Sequence, residues 1–81
     1  MTGAALHPVL ARAPLVRAAV AQGLEPVPSP CIGVCRMDAA SGLCEGCRRT
    51  LDEITRWRTL DDAARLALWA RVEERIAGAA P

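Results

Sequence analysis

Four cysteines lie in two close pairs near the middle of the chain. Three residues separate Cys31 from Cys35, two separate Cys44 from Cys47, and eight separate the pairs, giving the pattern C-x3-C-x8-C-x2-C. Two turns joined by a short loop can present four thiolates tetrahedrally, and such pair spacings are typical of closed zinc sites. The pattern therefore predicts one metal centre per chain, with these four cysteines as its ligands.

The spacing leaves the metal open between Zn(II) and an Fe–S cluster. It matches neither the bacterial nor the plant-type ferredoxin pattern, which favours zinc narrowly, but four cysteines at other spacings also hold clusters. Two disulfides would require an oxidising compartment. A redox-active Cys44–Cys47 pair would require a βαβ pattern that the sequence lacks. Both of these alternatives are minor.

Glycines and arginines flank the cysteines. Gly33 and Gly46 would let the backbone pass close to sulfur and direct amide hydrogens at the thiolates. Arg36, Arg48 and Arg49 would offset the negative charge of four thiolates or donate hydrogen bonds to sulfur. For the arginines, ordinary solvated surface positions are an equally simple interpretation.

The remaining sequence must position these residues with few large aromatic side chains. The chain has 81 residues, no Phe and no Tyr, and residues 29–77 number only about fifty, a size that commonly needs an additional cross-link to fold. We expect a small, mostly α-helical, metal-stabilised fold. In it, a four-cysteine double-turn metal site is followed by a helical hairpin.

Two helices are predicted after the cysteines. Thr50 and Glu53 match a capping box that would begin a short helix ending near Trp57. A second helix should begin between residues 59 and 62 and end near Ala77, leaving residues 78–81 as a C-terminal tail. The predicted core consists of their apolar positions, Leu51, Ile54, Trp57, Leu66, Trp69 and Val72.

Residues 1–28 are rich in Ala and Pro, and we expect an N-terminal tail and linker there. A short helix from Pro14 to Gln22 is compatible with the pattern, whereas the three prolines of residues 26–30 force extended or turn geometry. A poorly ordered tail is favoured over an amphipathic docking peptide. His7, the only histidine, is predicted to be solvated and not a ligand.

Composition excludes several classes of function. Ten basic residues against nine acidic ones give a net charge of +1, which leaves no strong electrostatic surface for nucleic acid or anionic membrane. No export signal or membrane span is predicted, so we expect a cytoplasmic protein. No Ser/His/Asp set, Cys/His set or carboxylate pair is placed for catalysis, and we expect no enzyme.

The stretches 29–38 and 42–50 resemble a bacterial family of small proteins. The family is catalogued as domain of unknown function 1289 and often labelled a predicted Fe–S protein. The segment 51–57 and Ala67-Leu68-Trp69 are also similar to it, so that the resemblance covers roughly Pro28 to Ile76. It implies a four-cysteine module and adds weight to an iron–sulfur centre, but it implies no activity.

The predicted function is therefore a small intracellular metal-binding module that has a structural or protein-interaction role and an unidentified protein partner. The alternative is an iron–sulfur protein that transfers electrons or carries a cluster. A weaker alternative is a zinc-knuckle-like nucleic-acid binder that uses Arg48, Arg49, Arg56 and Arg58, although both tryptophans are predicted to lie in the core.

Overall fold

A computed structural model describes residues 7–33 and 36–79. The described elements are three α-helices and one 3-10 turn: α1 (Pro8–Ala21), α2 (Leu51–Arg56), the turn Trp57–Thr59 and α3 (Asp62–Ala79). Within these ranges, β pairing is limited to two isolated bridges, Met37 with Cys44 and Leu43 with Thr50. The predicted small, mostly helical fold is confirmed.

Helix α1 packs along α3 and belongs to the core. Val9, Ala13 and Val16 are buried in the same cluster as the apolar face of α3, at the i, i+4 and i+7 spacing of one helical face. The expectation of a poorly ordered N-terminal tail is therefore wrong for this helix, because burial of that face offsets the entropy of ordering it. Residues 1–6 lie outside the described residues.

The proline-rich segment after α1 has neither helix nor strand, but it is not a free spacer. Val27 is 1% exposed and Pro30 is also buried. The Val27 amide donates to Asp62 Oδ1 over 3.0 Å, and the indole nitrogen of Trp69 donates to the Pro28 carbonyl over 2.8 Å. The predicted linker is therefore fixed against α3 by polar contacts as well as by burial.

Helix α3 supplies the largest share of the core through one apolar face. Its buried residues are Leu68, Trp69, Val72 and Ile76, and Ile54, Trp57 and Leu66 pack against them partly buried. The prediction for Leu51 is wrong, because its side chain is 59% exposed. Helical side chains lean toward the N-terminus, so the first residue of so short a helix leans past its end.

The predicted starts of α2 and α3 are confirmed, whereas α1 begins at Pro8 and not at Pro14. Thr50 Oγ1 accepts from the Glu53 amide over 3.1 Å and Glu53 returns a bond to the Thr50 amide over 2.9 Å, forming the capping box. Asp61 accepts from the Ala64 amide at the start of α3. Helix α3 continues through Gly78 to Ala79, past the predicted end. None of the helices in the described ranges is long and apolar enough to cross a bilayer.

Candidate metal centre

Backbone hydrogen bonds hold the Cys44–Cys47 segment in a tight turn. The Cys44 amide donates to the Arg49 carbonyl over 2.7 Å, and the Arg48 amide donates back to the Cys44 carbonyl over 2.8 Å. Arg48 has φ +61°, a left-handed conformation that is uncommon outside glycine. Both cysteines of this turn are 1% exposed. The turn therefore brings the second predicted pair together inside the protein.

The sulfur of Cys44 sits among hydrogen-bond donors. Burial raises the pKa of its thiol, but the backbone amides of Cys47, Arg36 and Gly46, with a contribution from the Cys47 side chain, outweigh burial and lower the pKa overall. Amide donors favour the charged form of sulfur because they stabilise negative charge on it. Gly46 was predicted to direct its amide at a cysteine sulfur, and its amide is one of the donors to Cys44. Arg36 is also a donor to this sulfur, but through its backbone amide and not through its side chain.

The sulfur of Cys47 has a charged neighbour. Arg49 Nε donates to Cys47 Sγ over 3.2 Å, and its guanidinium lies over the Trp57 ring, 5.4 Å from the centroid. The Arg49 residue is only 4% exposed. Of the three flanking arginines, Arg49 therefore has the sulfur contact that its position in the sequence suggested.

The other two arginines direct their side chains elsewhere. The Arg36 side chain is 79% exposed and lies 3.8 Å from a Glu45 carboxylate oxygen, so its guanidinium fits the surface interpretation. The Nε atom of Arg48 is buried and has no hydrogen-bond partner. Among the buried side-chain nitrogen and oxygen atoms in the described part of the chain, it is the one that lacks a partner. The Arg48 carbonyl accepts from Arg75 over 2.9 Å, which ties the turn to α3.

Cys31 lies at the surface, directly after the proline-rich segment. The amide of Gly33 lies 3.4 Å from its sulfur, and Gly33 has φ +87°, a conformation that glycine adopts without a steric penalty. Arg12 of α1 donates to the Cys31 carbonyl over 3.1 Å, and its guanidinium lies 5.6 Å from the Trp69 ring centroid. Sequence reasoning missed Arg12 because no local pattern relates it to a cysteine nineteen residues away.

The described part of the site is incomplete as a ligand set. Cys35 lies outside the described residues. Among the described ones, no three His, Cys, Asp or Glu side chains lie close enough together to hold a metal ion. The four-cysteine ligand set therefore stays a prediction. His7, predicted to be solvated, is half-buried and caps α1 by accepting from the Val9 amide over 3.1 Å.

The family can be assigned from sequence comparison. Residues 29–76 match the model of a family described as "Protein of unknown function (DUF1289)". This chain belongs to that family. The DUF1289 match begins at residue 29, inside the proline-rich segment, and leaves α1 outside it, although α1 packs on α3 within the matched region.

The DUF1289 chain is also similar to curated bacterial proteins. It is 36% identical over 51 residues to "Uncharacterized protein YdhL" of Escherichia coli (strain K12), and equally to the protein of that name from Shigella flexneri. Each match covers 63% of this chain and spans 63% of the relative's length. No solved structure matches the chain.

Proposed function

We propose that this protein is a small metal-binding module in which Cys31, Cys35, Cys44 and Cys47 hold one Zn(II) ion or one Fe–S cluster. The observation that carries the proposal is the environment of the Cys44–Cys47 turn, where buried sulfurs face amide and guanidinium donors. These donors favour thiolate sulfur, and thiolates are the ligands of zinc and of iron–sulfur clusters.

The proposed role of the centre is structural. In residues 36–50 the described chain has turns and isolated bridges but no helix or strand. A segment of that kind has few cooperative contacts of its own, and a metal cross-link would supply the missing stability. A closed four-thiolate zinc site leaves no position open for substrate. We therefore propose a module that binds a protein partner in the cytoplasm and is not an enzyme.

An iron–sulfur protein that transfers electrons or carries a cluster is the second candidate. Burial and hydrogen bonds to sulfur are the features by which proteins set cluster potentials, and both are present at Cys44 and Cys47. Nucleic-acid binding has less support. Trp69 is buried, and the Trp57 ring already lies near two guanidinium groups, so neither ring is open for base stacking.

Metal and acid-labile sulfide in anaerobically purified protein test the proposal, together with the visible absorption spectrum. One zinc per chain without colour supports the structural module, whereas iron with sulfide and a brown chromophore supports the second candidate. Cys44→Ser protein purified in parallel is the control for adventitious metal. Full-length protein that contains neither metal, and that keeps its helicity and melting temperature after chelator treatment, would exclude the metal-binding function.

A further inference from the structure

Arg49 is the one buried charged residue in the part of the chain that the structure describes. A guanidinium cannot lose its proton in a protein, so Arg49 stays cationic wherever it is placed. Burying an unpaired charge is strongly unfavourable. A buried arginine therefore requires a compensating negative charge nearby.

No carboxylate supplies that charge within the described ranges. The ion pairs there join other residues, and Arg49 takes part in none of them. Its polar side-chain partner is Cys47 Sγ, with the Trp57 ring as a second neighbour. An aromatic ring attracts a cation but carries no net charge. The side-chain group that the buried guanidinium faces is thus the sulfur of a proposed metal ligand.

The backbone fixes this arrangement. The Arg49 carbonyl accepts the Cys44 amide, so the residue that faces Cys47 is hydrogen-bonded to the other cysteine of the turn. The Trp57 ring, positioned by the turn that follows α2, lies beside the guanidinium. Arg49 is thus held by the metal-binding turn on one side and by the helical part of the protein on the other.

We infer that Arg49 is a positioning residue of the metal centre, holding Cys47 as a metal-bound thiolate and offsetting part of the net negative charge of the four-thiolate complex. This inference rests on the proposed metal-binding function. Four thiolates around a divalent ion carry a net charge of −2, and a buried cation in contact with one sulfur favours retention of that anionic complex. Arg49 therefore determines how tightly the metal is held.

Zinc transfer to a chromogenic chelator provides the test, using the zinc-loaded full-length chain below its melting temperature. Arg49→Met removes the charge and the donor at similar side-chain length, whereas Arg49→Lys keeps the charge. Arg65→Met is the matched control. Arg65 also lies over the Trp57 ring, 5.5 Å from the centroid, but its hydrogen bonds go to Trp57, Arg58 and Asp62 and not to a cysteine.

Arg49→Met is expected to weaken zinc retention by about 10- to 100-fold, the usual effect of removing a partner of a metal ligand. Arg49→Lys should recover part of this loss, and Arg65→Met should change retention by less than about 2-fold. In Co(II)-substituted protein, the sulfur-to-cobalt charge-transfer band should shift to longer wavelength in Arg49→Met alone, because the sulfur loses a hydrogen-bond donor.

Equal effects of Arg49→Met and Arg65→Met on retention, with no difference in the cobalt band, would overturn the inference while leaving the metal site intact. Wild-type protein that binds neither zinc nor cobalt would remove the proposed function and the inference together. The two failures are therefore distinguishable.

Discussion

Glu53 and Arg75 form a two-point ion pair between α2 and α3. Arg75 Nη1 lies 2.6 Å from Glu53 Oε1, and Nη2 lies 2.9 Å from Oε2. Glu53 Oε1 also accepts the Thr50 amide in the capping box, and Oε2 accepts from Arg71. One carboxylate thus begins α2 and joins it to α3, and the same Arg75 reaches the carbonyl of Arg48 in the cysteine turn.

Replacing Glu53 by Gln should destabilise the fold by about 2–3 kcal/mol, since it leaves a half-buried guanidinium without its carboxylate. Urea unfolding at pH 7 measures the change in the free energy of unfolding. Glu74→Gln on the exposed side of α3 is the control and should change it by less than about 0.5 kcal/mol. Similar losses in both variants would show that the ion pair does not connect the helices.

The ion pair also predicts a pH dependence. The Arg75 hydrogen bond, opposed by burial and assisted by Thr50 and Arg71, lowers the pKa of Glu53 from 4.5 to about 2. A carboxyl with a lowered folded-state pKa stabilises the fold fully above its unfolded pKa and loses that effect as pH falls toward the folded pKa. The stability advantage of wild type over Glu53→Gln should therefore shrink between pH 4.5 and about 2.

The shift corresponds to at most about 3 kcal/mol. Urea unfolding of wild type and Glu53→Gln at pH 6, 4 and 2.5 measures the difference in their free energies of unfolding. Acid affects the cysteines of both proteins equally, so that effect cancels in the difference. A wild-type advantage that stays constant down to pH 2.5 would contradict the lowered pKa.

His7 should make the start of α1 sensitive to pH. Its Nδ1 caps the helix only when it carries no proton, and burial followed by the charge of Arg48 lowers its pKa below 6.5. A histidine with a lowered pKa contributes its full stability above the unfolded value and loses it as pH falls below that value. The protection factors of the α1 amides, which are corrected for the intrinsic pH dependence of exchange, should therefore fall below about pH 6.5.

His7→Asn is the matched control for this prediction, because Asn caps helices well and does not titrate. In His7→Asn, the protection factors of the α1 amides should be equal at pH 7.5 and pH 5.5. An equal fall of the α1 protection factors at pH 5.5 in wild type and His7→Asn would exclude His7 as the cause.

Burial of α1 can be tested with two nearby apolar residues. Val9 is fully buried, whereas Leu15 is 70% exposed. Val9→Ala should cost about 1–3 kcal/mol, because it removes buried methyl groups and leaves a cavity against α3. Leu15→Ala should cost less than about 0.5 kcal/mol in the same denaturant titration. Equal small costs would mean that α1 does not pack on α3 in solution.

Local chemistry made much of this protein predictable. Thr50 and Glu53 define a helix start through side chains three residues apart, and the periodic apolar residues of α3 define one buried face. Leu51 followed the same periodicity but is exposed, because position at a helix end also matters. The placement of α1 was not predictable, since its outward face carries apolar residues such as Leu15 as well and the pattern marks no single side.

The sequence alone determined the spacing of the two cysteine pairs, the starts of α2 and α3 and the family, because each depends on residues close together along the chain. Tertiary structure decided the rest. It brought Arg12 to Cys31 and Trp69, Arg75 to Glu53, and Pro28 to the Trp69 indole. Of the three flanking arginines, only the tertiary structure shows that Arg49 is the one whose side chain contacts a cysteine sulfur. These contacts depend on how helices pack, and sequence spacing does not encode that geometry locally.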